Sequence, residues 1–153
     1  MTAGESTDET YVARAMQLAA CAAANGDVPI GAVLVCDGAT FKAFNEKERR
    51  PDPTAHAEML VLKDAAESLG RWRLTGATLY VTKEPCVMCA GAMVAARIKR
   101  VVFGCTDPKG GAAGSIVDVF ALEGLNHRVD VTRGVLAEET AAQLQAFFAT
   151  RRG

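Results

Sequence analysis

The residues of this sequence best suited to chemistry are an imidazole, a pair of thiols and one carboxylate. His56 lies two residues before Glu58, and Cys86 and Cys89 form a Cys-x-x-Cys pair thirty residues after the histidine. A hydrolytic zinc site requires three protein ligands, an open position for water and a nearby acid or base. We predict that His56, Cys86 and Cys89 bind one Zn²⁺ and that Glu58 is the catalytic acid and base.

The spacing of these residues predicts that both halves of the site lie near helix N-termini. Cys86 and Cys89 are three residues apart, so on a helix they share a face and can bind one ion. Pro85 is suited to the first turn of that helix, where the helix dipole also favours thiolates. Thr54 is a candidate N-cap for a second helix, which carries the histidine and the carboxylate.

Taken alone, each half of this pattern has a common structural explanation. A Cys-x-x-Cys pair is often a redox pair or half of a structural zinc knuckle, and a histidine in an apolar helix is usually packed or capping. The combination is more specific, because His-x-Glu followed by Pro-Cys-x-x-Cys is the signature of zinc-dependent deaminases, in which the glutamate is not a zinc ligand. The combination therefore predicts a catalytic zinc site.

Length and composition indicate one domain, which we expect to span residues 1–153. Half of the 153 residues are hydrophobic, which is enough for a substantial core. No apolar run approaches the ~20 residues of a membrane span. The polar, acidic start of the chain lacks the features of a signal peptide, so we expect a cytoplasmic protein that does not contact membranes.

Charge and motifs limit the classes of ligand. The formal net charge of −1 argues against general electrostatic capture of nucleic acid, although it permits a local basic patch. The glycine-rich segment 107–115 lacks the Gly-Lys-Ser/Thr of a P-loop, so no nucleotide cofactor is expected.

Hydrophobic periodicity predicts four helices and five strands. The helices are expected over 8–25, 55–69, 85–97 and 137–152, and the strands over 28–35, 40–45, 77–82, 100–104 and 128–132. The β-branched run of the first strand indicates burial on both faces, and Asp37-Gly38 is a hairpin turn signal. Alternating strands and helices predict an α/β sandwich in which the third and fourth strands are parallel.

Longer segments around the zinc motif resemble the family of bacterial tRNA-specific adenosine deaminases, within the cytidine deaminase-like superfamily. The resemblance runs from about Tyr11 to Arg152 and is carried by the segments Asp52–Glu58, Glu84–Met93, Arg100–Gly104, Gly111–Ser115, Asn126-His127 and Phe147–Arg152. It implies a three-layer α/β/α sandwich with a five-stranded mixed sheet and a homodimer with one Zn²⁺ per subunit. It also implies hydrolysis of the wobble adenosine to inosine in the anticodon stem-loop of an arginine tRNA.

The resemblance further implies which residues contact the substrate. Asn45 corresponds to a base-contacting asparagine, and Asp107 corresponds to a residue of the substrate-binding loop near the target nucleotide. The C-terminal segment that meets the anticodon loop corresponds to Phe148, Arg151 and Arg152. Lys109 and the two arginines are candidates to hold flanking phosphates, although basic residues on a solvated surface show the same pattern.

Three other functions fit part of the sequence. A free-base or nucleoside deaminase of the same superfamily, acting on guanine or cytosine, fits the near-neutral charge and the segment Phe44–Arg50, which is less like the tRNA deaminase pattern. A non-catalytic zinc module that binds RNA would need a fourth ligand. The cysteines left to supply it all lie in core-like segments: Cys21, Cys36 and Cys105. A thiol-disulfide oxidoreductase would leave the histidine and the carboxylate without a role.

Overall fold

The computed structural model of the chain describes residues 3–151. The helices are α1 (Ala3–Ala24), α2 (Ala57–Leu69), α3 (Val87–Ala95) and α4 (Ala137–Arg151). The strands are β1 (Gly31–Cys36), β2 (Ala39–Phe44), β3 (Thr78–Lys83), β4 (Arg100–Cys105) and β5 (Asp130–Thr132). Within residues 3–151, none of the helices has both the length and the apolar character needed to cross a bilayer.

The five strands form one mixed sheet in the order β2-β1-β3-β4-β5. Strand β1 is antiparallel to both of its neighbours, whereas β3, β4 and β5 are parallel to one another. Helices α2 and α3 pack on one face of the sheet, and α1 and α4 pack on the other. The predicted three-layer α/β/α sandwich with a five-stranded mixed sheet is confirmed.

The side chains of β1 show how one strand serves two layers. Leu34 belongs to the cluster that contains Val61 of α2, whereas Val33 packs with Val12 and Ala15 of α1. Successive side chains of a strand point to opposite faces, so a strand between two helical layers must be apolar throughout. The uninterrupted apolar run of β1 is explained by this position, as predicted.

The predicted elements are correct in order and type, and they differ in their ends. Asp37 and Gly38 form the predicted hairpin turn, with φ of 54° and 78°, and Cys36 pairs with Ala39 across it. Helix α1 begins at Ala3, earlier than predicted, and α3 is shorter than predicted. A single 3-10 turn at Val119–Ala121 was not predicted.

Gly31 lies where α1 crosses the sheet with no room for a side chain. A Cβ at this position would clash with the carbonyl oxygen of Ala15 and lie 2.8 Å from the amide nitrogen of Ala19. Because these are backbone atoms of a packed helix, Gly31→Ala should lower the free energy of unfolding by about 1–3 kcal/mol, measured by chemical denaturation.

Gly91→Ala is the matched control for this prediction. A Cβ at Gly91 meets nothing within 4 Å, and the residue lies inside α3. This variant should therefore gain about 0.5–1 kcal/mol from the better helix propensity of alanine. Equal stability of the two variants would contradict the close approach of α1 to β1.

Candidate metal centre

The three predicted zinc ligands lie where two helices begin, in the α2–α3 layer. His56 is the N-cap residue of α2 and Cys86 is the N-cap residue of α3, with extended backbones at ψ of 147° and 175°. Cys89 lies in the first turn of α3. Both helix starts therefore present their ligands from the same layer.

Two details of these helix starts were predicted wrongly. Thr54 does not cap α2, because its amide and hydroxyl groups both donate to the Asp52 carboxylate, at 2.8 and 2.7 Å. Pro85 precedes the N-cap of α3 instead of occupying its first turn. Both predicted helices therefore began two residues too early.

The imidazole and the two thiols are separated as one tetrahedral zinc ion requires. His56 Nδ1 lies 3.7 Å from Cys86 Sγ and 3.5 Å from Cys89 Sγ, and the three atoms all lie within 4.8 Å of one another. Tetrahedral bonds of ~2.3 Å to sulfur and ~2.0 Å to nitrogen place ligand atoms about 3.5–3.8 Å apart. The donor set fits zinc, and among the described residues it has three members, the number typical of catalytic sites.

The electrostatics of the cluster favour a thiolate. The pKa of Cys86 is lowered to about 3, chiefly by a hydrogen bond from Cys89 and further by His56. The pKa of Cys89 is raised by that same hydrogen bond and by burial. The pKa of His56 is raised, mainly by its hydrogen bond with Cys86. A bound cation would displace the proton that these groups share, so metal binding releases protons.

Glu58 lies next to this cluster without being part of it. The residue is in the first turn of α2 and only 4% exposed, and its carboxylate contacts the Cys89 thiol. Burial raises the pKa of Glu58, and the negative charge of Cys86 raises it further. A carboxyl group whose pKa is raised in this way is suited to both accepting and donating a proton.

Asn45 caps the helix that begins beside His56. Its Oδ1 accepts a hydrogen bond from the Ala57 amide at 2.8 Å, and the residue is 2% exposed. This bond satisfies one of the amides that the start of a helix leaves unpaired. Because Oδ1 is engaged, the Nδ2 group is the part of the side chain suited to contact a ligand. The capping role was not predicted.

Asp107 organises its own loop. Its carboxylate accepts hydrogen bonds from the amides of Lys109 and Gly110, at 3.1 and 3.2 Å, and pairs with Lys83 Nζ at 3.1 Å. Burial would raise the pKa of Asp107, but Lys83 and the two amides outweigh burial and lower it. The Lys109 side chain is exposed.

Glu84 was not predicted as a functional residue, yet its buried carboxylate accepts hydrogen bonds from the same loop. Oε1 accepts from the Asp107 amide at 3.0 Å and the Ser115 hydroxyl at 2.5 Å. Oε2 accepts from the amides of Ala113 and Ser115, at 2.9 and 3.1 Å. Burial would raise the pKa of Glu84, but these bonds lower it. The sequence signal that could have indicated this role is the position of an acidic residue between an apolar strand and Pro-Cys.

The C-terminal candidates do not meet the metal cluster. Phe148 and Arg151 lie on α4, in the layer on the opposite face of the sheet. Phe148 is 43% exposed and meets Phe147 edge-on, and the Arg151 guanidinium lies 4.6 Å from the centroid of the Phe147 ring. Arg152 lies outside the described residues.

The remaining cysteines lie away from the metal cluster. The Cys36 thiol donates to the Thr75 carbonyl and the Cys105 thiol to the Thr82 carbonyl, and Cys21 is exposed. None of the three belongs to the metal-capable group that the described residues form. The alternative of a closed structural zinc site therefore has no fourth ligand in this part of the chain.

The fold and the three-member donor set are those of a deaminase. Residues 6–152 match the family model described as MafB19-like deaminase. Over 142 residues the chain is 51% identical to a tRNA-specific adenosine deaminase of Bacillus subtilis (strain 168), with 92% of this chain and 88% of that protein covered. The chain belongs to the family of tRNA-specific adenosine deaminases.

Two solved structures resemble the chain to different degrees. A structure from a study of A-to-I editing by tRNA:A34 deaminases at the wobble position of transfer RNA is 45% identical, with a TM-score of 0.84 over 88% of this chain and 99% of that one. A guanine deaminase from Nitrosomonas europaea has a TM-score of 0.77 over 92% of this chain and 84% of that one. It is 23% identical, so this second likeness shows a common fold alone.

Proposed function

We propose that this protein hydrolyses the wobble adenosine of an arginine tRNA to inosine, with release of ammonia. The observation that carries the proposal is the donor set of His56, Cys86 and Cys89 beside the buried carboxyl of Glu58. The high identity to tRNA-specific adenosine deaminases supports tRNA as the substrate. The enzyme needs no nucleotide cofactor.

Each residue of the cluster has a defined task in this reaction. His56, Cys86 and Cys89 would hold one Zn²⁺ per subunit, and the ion would supply a water molecule whose pKa is lowered toward neutrality. Glu58 takes a proton from the water that attacks C6 of adenine and delivers it to the ring nitrogen N1. Glu58 then moves the second proton of that water to the departing amino group, which leaves as ammonia.

The substrate reaches the cluster as an extruded base. An anticodon loop presents unstacked bases, so the energetic cost of extrusion is low there. Asn45 donates from Nδ2 to the edge of the base, and the loop that contains Asp107 lies near the target nucleotide. Positive charge and an aromatic surface for the flanking nucleotides come from Lys109, Phe148, Arg151 and Arg152.

Treating tRNA with the zinc-loaded protein and measuring inosine at the wobble position by mass spectrometry tests this function. We expect inosine in the anticodon stem-loop and no deamination of free guanine, cytosine or adenosine. Conversion of free guanine or cytosine, with the stem-loop left intact, would instead identify a free-base deaminase.

Two substitutions of Asn45 separate its capping from its contact with the base. Asn45→Asp keeps the oxygen that accepts from Ala57 and loses the Nδ2 donor. Because the Nδ2 donor is lost while the cap of α2 is kept, kcat/KM for the stem-loop should fall about tenfold or more. Asn45→Ala loses both groups, so it should also lose about 1 kcal/mol of stability. Wild-type kcat/KM in Asn45→Asp would leave capping as the sole role.

We also propose a cytoplasmic homodimer whose single deaminase domain spans residues 1–153. An apolar surface between α2 and α3, bordered by Trp72 at 57% exposure, supports association with a second copy. Besides Trp72, it is lined by Met59, Leu62, Lys63, Ala66, Leu74, Ala92, Ala95 and Ala96. Sedimentation equilibrium should give twice the mass of the chain, and a monomer at micromolar concentration would contradict this proposal.

A further inference from the structure

The segment 107–115 wraps around the carboxylate of Glu84. Both carboxylate oxygens accept hydrogen bonds from this segment, two at each oxygen. The chain passes so close that a Cβ at Gly111 would lie 2.5 Å from Oε1. Glu84 is 3% exposed and its bond from the Ala113 amide is buried, so water does not readily replace the carboxylate as the acceptor of that amide.

The same strand end carries this loop and a zinc ligand. Glu84 follows β3 and is separated from Cys86 only by Pro85, whose carbonyl accepts from the Ala112 amide of the loop at 2.8 Å. Lys83, the residue before Glu84, pairs through Nζ with the Asp107 carboxylate at 3.1 Å. The position of the loop relative to Cys86 is therefore set by contacts that Lys83, Glu84 and Pro85 make.

We propose that Glu84 is a positioning residue, which fixes the loop 107–115 against the start of α3 and so sets where the loop meets the RNA. It is not a member of the metal-capable group of the described residues, and both of its carboxylate oxygens accept from the loop. The inference rests on the proposed function, because it assumes that this loop contacts the substrate. A charged acceptor is required, since the loop presents four donors to one buried group.

Glu84→Gln tests this role with little change of shape. The amide can accept from Asp107 and Ser115 at its oxygen, but its nitrogen faces the Ala113 and Ser115 amides, which lose their acceptor. The zinc content should be unchanged. KM for the stem-loop should rise about tenfold or more while kcat changes little, because the buried Ala113 amide and the part-buried Ser115 amide are left unpaired.

Amide hydrogen exchange shows whether the loop keeps its hydrogen bonds to residue 84, and it requires no substrate. In Glu84→Gln the amides of Ala113 and Ser115 should exchange about tenfold faster or more, with the Val81 amide of β3 unchanged. Gly111→Ala should give the same pattern, because its Cβ displaces the carboxylate. Asp8→Asn is the control, since it weakens a partly buried ion pair with Arg100 in the α1 layer and should leave KM and loop exchange unaltered.

The outcomes separate the inference from the proposed function. Wild-type KM and loop exchange in both variants, or loss of zinc in step with activity, would overturn the role of Glu84. Failure of both variants to fold would also overturn it, because Glu84 would then be part of the folding core. A wild-type protein without activity on the stem-loop would contradict the proposed function. Hydrogen exchange would in that case still test whether Glu84 holds the loop 107–115 in place.

Discussion

Glu58→Gln should keep its zinc and lose about 10²–10⁴-fold or more in kcat for the stem-loop. Glutamine has nearly the shape of glutamate but cannot take up and return a proton. The carboxylate does not belong to the group of mutually close ligand atoms, so the ion should stay bound. Single-turnover kinetics with saturating stem-loop, together with metal analysis of the same sample, measure both quantities.

The stability of this variant gives an independent check. Because burial raises the pKa of Glu58, the neutral side chain should be tolerated and the melting temperature should not fall. Glu67→Gln is the matched control, because Glu67 is an exposed glutamate on the same helix. Loss of zinc from Glu58→Gln, but not from Glu67→Gln, would make the carboxylate a ligand and would contradict its role as acid and base.

Cys89→Ser should lose both the metal and the activity. The Cys89 side chain is completely buried and its sulfur lies 3.5 Å from His56 Nδ1, and the group of mutually close ligand atoms among the described residues has no fourth member. Loss of a direct ligand should weaken zinc affinity by more than the roughly 10–100-fold that outer contacts contribute. Competition with a chromophoric chelator measures the affinity, and turnover should fall with zinc occupancy.

Thermal unfolding with and without added zinc provides the second measurement. A ligand that binds only the folded state stabilises it by about 2.7 kcal/mol at a free concentration of 100 times Kd. Wild type should therefore melt higher with zinc, and Cys89→Ser should not. Cys36→Ser is the control, because that buried thiol donates to the Thr75 carbonyl and a hydroxyl can do the same. Equal zinc responses in all three proteins would contradict the assigned ligands.

The sequence was sufficient where local chemistry decides the structure. The apolar run of β1 and the Asp37-Gly38 turn lie within single segments, so periodicity and turn signals predict them. The metal cluster was predictable for a different reason. A histidine with a nearby carboxylate, followed by a cysteine pair, has few common uses other than a catalytic zinc site. The pattern is therefore specific even though thirty residues separate its two halves.

The sequence was insufficient where the partner lies on another element. The acceptor that caps α2 comes from Asn45 after β2, and nothing in the segment around Thr54 reveals it. The bonds of Glu84 join residues separated by 23 to 31 positions in the chain. Such pairs depend on how the sheet brings its edges and loops together, which periodicity does not encode.

The start of α2 and the start of α3 supply all of the predicted zinc ligands, and this arrangement has a topological consequence. An ion bound by His56 and Cys89 ties together two points of the backbone that are separated by the whole of α2 and β3. Because the ligands meet only in the folded chain, the free energy of binding the ion adds to the stability of the fold. A bound metal would then stabilise the fold as well as serve the reaction. Removing it would lower the free energy of unfolding without any change of side chain.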